Sequence, residues 1–139
     1  MTHKSVIVIS KKWRGDTPLI LNATGHVAQS LAQQASGAGL GIFVDYQTED
    51  DVRFYGISTY PFVLLTGTPA KMWSFKSDCE QQQIITSAFV ETMFHGGTEI
   101  QLQTTAEKAS DEHDLICVGV FGETDVINAL TKKFSLFRV

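Results

Sequence analysis

The stretch Ser5–Gln34, SVIVISKKWRGDTPLILNATGHVAQSLAQQ, decides the fold. Its first six residues, Ser5–Ser10, are a β-branched run without polar alternation, which predicts a strand buried on both faces and central in its sheet. Gly15–Pro18 then supplies helix-start chemistry. Asp16 or Thr17 caps the free amides, and Pro18 takes a first-turn position where its missing N–H is harmless. Leu19, Ala23, Val27 and Leu31 recur every four residues with Ile20 beside them. That apolar stripe predicts a helix over Pro18–Gln34 lying on the sheet, ended by SGAGLG at residues 36–41.

The strand-then-helix pattern repeats outward from this stretch. FVLLTG (62–67) is a second continuous apolar run, and TPAKMWSFKSDCEQQQ (68–83) follows it with a threonine cap and a first-turn proline. IITSAFVETM (84–93) predicts a third strand. LICVGVFG (115–122) predicts a fourth, leading into a final helix over ETDVINALTKKF (123–134) with Val126, Ile127 and Leu130 on one face. The acidic Val44–Arg53 segment reads as a surface connection with little regular structure ahead of the apolar FYGIST (54–59). His95–His113 is polar and long for a connection, with TTAEKA (104–109) able to form a short helix, so it is a candidate lid or partner surface. Tyr55, Tyr60, Trp13 and Trp73 read as aromatics at the edge of the core. Four apolar strands alternating with helices predict an α/β layer sandwich in one domain over residues 1–139.

Composition sets limits on function. The 139 residues are 43% apolar and 19% charged with a mean hydropathy near zero, values that argue against disorder and membrane residence. The apolar runs are too short to cross a bilayer and the N-terminal residues lack a secretory cleavage pattern, so a cytoplasmic protein is expected. A net charge of −4 works against a nucleic-acid partner, since that affinity comes from neutralising phosphates with Lys and Arg. The small basic clusters Lys11–Arg14 and Thr131–Lys133 read as solvated loops or a basic helix end. Cys79 and Cys117 are widely separated, and Cys117 reads as a small buried hydrophobe rather than half of a disulfide.

No complete catalytic motif occurs. GAGLG (37–41) follows a helix rather than a strand, GGT (96–98) opens no phosphate loop, the four histidines have no metal-ligand spacing, and no serine has a nucleophile-elbow context. No cofactor and no metal are expected. What remains is a constellation suggested by the rule that ligands bind beyond the carboxyl ends of strands in open α/β sheets. Glu91 and Thr92 end the third strand, and the helix carrying Asn22 and His26 starts just after the first. In an enzyme, His26 would act as base, Glu91 would orient it and Asn22 would stabilise negative charge on oxygen, with Thr92, Lys12 and Lys132 as ligand contacts. The plainer alternative for Asn22 and His26 is a pair that caps neighbouring backbone groups.

Lys4–Leu31 resembles the opening of the peptidyl-tRNA hydrolase II family, in which a strand and short loop lead to a Gly-Lys helix carrying Ala-Ala-Gln-x-x-His. His26 falls on that histidine, but Leu19 stands at the catalytic lysine, Pro18 at the preceding glycine and Ala23 at the glutamine. A resemblance covering most of the chain is to the DUF2000 family of small bacterial proteins, carried by GISTYPFVLL (56–65), FVETM (89–93), GVFG (119–122) and LTKKFSLFR (130–138). It implies a peptidyl-tRNA hydrolase II-like, three-layer α/β/α sandwich with a mixed four-stranded sheet, the last strand antiparallel to the others, and no assigned activity. The expected function is a small-molecule or peptide-binding protein or weak hydrolase, with a homodimer among its assemblies. The alternatives are a non-catalytic partner-binding or assembly module using residues 95–113 and the C-terminal KKFSLFR, and, third, peptidyl-tRNA hydrolysis.

Overall fold

The computed structural model describes residues 2–138. β1 (His3–Ser10) is central, as its unbroken apolar run requires, and its last five residues are buried. α1 (Thr17–Gly37) starts at Asp16, whose carboxylate accepts the Leu19 N–H at 3.3 Å, so Asp16 rather than Thr17 is the cap. It ends in a Schellman turn at Gly39, with the Leu40 N–H donating to the Ala35 carbonyl and the Gly39 N–H to that of Ser36.

A hairpin, β2 (Phe43–Gln47) and β3 (Arg53–Ser58), leads to β4 (Phe62–Gly67) and α2 (Pro69–Gln81). Thr68 holds the cap position of α2, but its side chain makes no capping hydrogen bond. β5 (Ile85–Val90) runs into a 3₁₀ turn at Glu91–Met93. α3 (Thr98–Ala106), a second 3₁₀ turn at Ser110–Glu112, β6 (Leu115–Glu123), α4 (Thr124–Leu130) and the two-residue β7 (Ser135–Leu136) complete the described chain.

The main sheet has the order β5-β6-β1-β4-β7. β1 and β4 are parallel, β6 runs antiparallel to both β1 and β5, and β7 is antiparallel to β4. The α/β class and the mixed sheet follow the expectation, but the strands number five instead of four. The last helix stops at Leu130, and residues beyond it turn back to form β7 on the edge of β4. Phe134 enters the α2 side there, edge-on to Phe75 at 5.2 Å, while Phe137 packs on the α1 side. Phe134 and Phe137 are thereby half-buried against the two faces of the sheet edge, while Leu136 between them is exposed. The Val44–Arg53 segment also departs from expectation, because it holds most of β2 and the turn of a hairpin whose strand residues are all exposed. Tyr55 on that hairpin is 70% exposed, not an aromatic at the core edge.

Alternation along β1 divides the core into two layers. Val6 and Val8 face α2 and α4 with Met72, Phe75 and Ile127, and Ile7 and Ile9 face α1 with Leu19, Ala23, Val27 and Leu31. α1 lies close to β6 because position 119 is glycine. A Cβ there would meet the side chains of Val27 and Leu31, the latter at 2.9 Å, both on the buried stripe of the helix. We predict that Gly119→Ala destabilises the fold by about 1–3 kcal/mol through overpacking, read as a lowered urea midpoint. An unchanged midpoint would show that α1 can move away freely.

Candidate functional site

β5 and β1 are both antiparallel to β6, so β1, β4 and β5 point the same way and their carboxyl ends share one rim. Lys12 follows β1 at this rim, Glu91 follows β5, and His113 and Asp114 lead into β6. The pairing of Val90 with Leu115 brings Glu91 beside Asp114. Glu91 Oε1 accepts the Asp114 N–H at 2.7 Å and lies 3.1 Å from His113 Nδ1, while Oε2 accepts Lys108 Nζ at 3.0 Å. The opposite ring nitrogen of His113, Nε2, faces the Thr105 carbonyl at 3.1 Å. An imidazole carrying both protons satisfies both acceptors, and a neutral one satisfies a single acceptor. Burial pushes the Glu91 carboxyl up, but the Asp114 amide, Lys108 and His113 together outweigh it and hold the group below the usual carboxylate range.

This cluster pins the 95–113 segment to the sheet. The Thr105 hydroxyl donates to the Gln101 carbonyl at 2.7 Å, so Thr92 donates in the 2.6 Å bond between Thr92 and Thr105. α3 buries none of its own residues, and Ile100 and Leu102 point into solvent. Polar bonds at Thr92, Lys108 and His113 fix it where a core does not. TTAEKA contributes only its first three residues to α3, which begins six residues earlier at Thr98.

The expected constellation is only partly assembled. α1 does lean over the end of β5: the His26 ring stacks on Phe89 at 5.6 Å beside a hollow of about 230 Å³ that Met93 and Gln101 also line. The Glu91 carboxylate, however, is held by His113, Lys108 and the Asp114 amide rather than by His26. The Asn22 side chain is exposed on α1, away from the Glu91 carboxylate and its partners. Lys12 is engaged by Asp114 at 2.9 Å and lies over its neighbour Trp13. Lys132 is exposed in the turn before β7, on the sheet edge opposite β5 and roughly 19 Å away by strand spacing.

The amino ends of the parallel strands carry a second feature. A groove of about 290 Å³ lies between the C-terminal half of α1, the starts of β1 and β4, and the root of the hairpin. Ala28, Ala32 and Ala35 floor it with small side chains, and Phe43, Tyr60, Phe62 and Phe121 wall it. Among the described residues no charged side chain lines it. The alanine spacing along α1, followed by the aromatics around TYPF (59–62), was the sequence signal for this groove, and the apolar stripe of the helix overshadowed it.

A family described as protein of unknown function, DUF2000, matches residues 3–138. The chain belongs to the DUF2000 family. A solved structure of a protein of unknown function, Atu0240 from Agrobacterium tumefaciens strain C58, is similar over 99% of each chain with a TM-score of 0.79 and 17% identity, a likeness of fold. No curated protein matches the chain.

Other chemistry in this DUF2000 chain is limited by burial. Cys79 and Cys117 are unpaired thiols raised by burial to about 11 and about 12, which makes both poor nucleophiles at neutral pH. Among the described residues no group of three His, Cys, Asp or Glu side chains is placed to hold a metal ion. No helix of the described chain is long and apolar enough to cross a membrane.

The Glu91 cluster predicts a specific pH dependence. A carboxyl depressed in the folded state contributes fully above its ordinary value of 4.5, and the contribution is lost as pH falls through the folded value. Glu91→Gln is expected to lower stability by about 1–3 kcal/mol at pH 7. The gap from wild type should narrow steadily below pH 4.5 in urea titrations. A gap that stays constant down to full protonation would show that the carboxylate charge contributes nothing.

Proposed function

We propose that this DUF2000 chain is a non-catalytic binding protein for a small, uncharged, largely apolar molecule held in the groove between α1 and the amino ends of β1 and β4. The observation that carries the reading is the lining: small and aromatic side chains with a few neutral polar groups, Ser5, Gln29 and Ser58 among them, and no charge. Ligand sites are typically concave and mostly apolar, with a few polar groups that fix orientation. The somewhat larger cleft on the α2 side fits a ligand less well. Its charged side chains are already paired, Lys76 with Glu80 at 2.9 Å and His113 with Glu91.

The hydrolytic alternative rests on His26, with Glu91 to orient it and Asn22 to stabilise an oxyanion, and the hollow beside His26 favours it. The partners of Glu91 count against it, because a carboxylate already bound to Lys108 and His113 must release them before it can serve another ring. Peptidyl-tRNA hydrolysis has less support still, since Leu19 is 6% exposed in the α1 core where that family places its lysine. A peptidyl-tRNA hydrolase II-like fold and a cytoplasmic location belong to this proposal. The first is supported by the resemblance of Lys4–Leu31, and the second by two unpaired thiols.

Ligand-observed NMR with indole and 2-naphthol tests the groove. Both probes should show saturation transfer from the protein, and Ala32→Trp, which fills the floor, should weaken binding at least about tenfold, or about 1.4 kcal/mol. Equal binding by wild type and Ala32→Trp would sink the proposal. His26→Ala should leave binding, and the background turnover of a panel of acyl and peptidyl esters, unaltered. Turnover lost in that variant would establish the hydrolytic alternative.

A further inference from the structure

The hairpin β2–β3 projects from the layers as a two-stranded ribbon. Directly opposed residues share a face, and Val44 opposes Ile57 while Tyr46 opposes Phe54. Phe54 and Ile57 are three apart in sequence and reach the same face only because β3 bulges between them. Tyr55 and Gly56 together oppose Asp45, Gly56 has φ +66°, and its N–H donates to Asp45 Oδ1 at 2.9 Å. The other face starts with Phe43 and Ser58 at the groove and continues with Gln47 and Arg53, which bond to each other at 3.2 Å. The ribbon therefore has a polar face and an apolar face, and the apolar one looks away from the domain.

That outward face is Val44, Tyr46, Phe54 and Ile57, each 40–56% exposed, with Ile42 and Val52 at its margins. A hairpin of two strands is marginal by itself in water, and an apolar sheet face of this kind is normally covered. The surface area agrees: the chain exposes 8411 Å² at 15.3 kDa, against about 7,100 Å² for a monomer of that mass.

We infer that the apolar face of the β2–β3 ribbon is the interface of a homodimer, in which the ribbons of two copies pack face to face across a two-fold axis. The six side chains offer on the order of 100 Å² each, so about 600 Å² per copy, the lower end of the roughly 600–1,000 Å² that each partner contributes to a standard interface. The occupant is a second copy because the four central residues carry no charge for a different protein to read. A two-fold needs only the same apolar rows from both sides. Crossing the ribbons antiparallel also keeps the acidic tips, Glu49, Asp50 and Asp51, away from each other.

Sedimentation equilibrium of the full chain at micromolar concentrations should give twice 15.3 kDa. Tyr46→Asp combined with Phe54→Asp should return the monomer mass with the thermal midpoint of the core kept, and Leu102→Asp, on the exposed side of α3, should stay dimeric. A monomeric wild type, a dimer that survives the double substitution, or a monomeric Leu102→Asp would each overturn the inference. Hydrogen exchange on the unmodified chain gives an answer independent of how the variants fold. Amides of 43–47 and 53–58 should exchange at least about tenfold more slowly as the dimer forms, and exchange that ignores concentration would overturn the inference equally.

Discussion

The contact of α1 with β6 at Gly119 fixes the position of a helix that touches features at both ends of the sheet. With no side chain on the strand at that point, Val27 and Leu31 rest close to the β6 backbone and hold the helix low over β1 and β5. The consequence runs in two directions along α1. Toward its N-terminus the helix sets His26 on Phe89 at the carboxyl rim. Toward its C-terminus it presents Ala28, Ala32 and Ala35 to the amino ends of β1 and β4, where they become the floor of the groove. A helix held higher over β6 would lose both arrangements together.

The two ends of the sheet use opposite physics. At the carboxyl rim, charged groups meet in pairs: Lys12 with Asp114, and Glu91 with Lys108, His113 and the Asp114 amide. The exposed pair at Lys12 is worth little in stability. The Glu91 cluster is better shielded and more fully bonded, and its main effect is positional: it holds a helix that has no core of its own. At the amino end no charge lines the groove, and the surface there is aromatic and small-residue. The sheet thus carries ion pairs around one end of α1 and an uncharged, aromatic groove beside the other, although Glu123 and Asp125 stand elsewhere on that second rim.

Most of the layered fold was legible from sequence because its signals are local. The run Ser5–Ser10, the cap at Asp16 and the fourfold spacing of Leu19, Ala23, Val27 and Leu31 each report on neighbours along the chain. The partner of Glu91 was not legible, because it depends on the register of β5 against β6, a pairing between residues 25 positions or more apart. His113 carried no spacing that marked it, and His26 was the histidine on a visible pattern. β7 escaped for a related reason, since a two-residue strand acquires its identity only from pairing with Leu65 and Thr66.

The hairpin was hidden for a different reason, and that reason bears on how the molecule works. Its residues alternate, but the acidic turn Glu49–Asp51 and the bulge at Tyr55–Gly56 interrupt the period, so VDYQTEDDVR (44–53) reads as an irregular surface connection ahead of the apolar FYGIST (54–59). The bulge is what gathers the apolar residues on one face, so the feature that obscures the pattern in sequence is the one that creates it in space. The same two strands supply Phe43 and Ser58 to the wall of the groove and Val44 and Ile57 to the outward face, one residue along. A ribbon free to bend would carry that wall with it. A partner copy on the outward face would therefore also stiffen one side of the groove, because two strands five and six residues long cannot move on one face and stay still on the other.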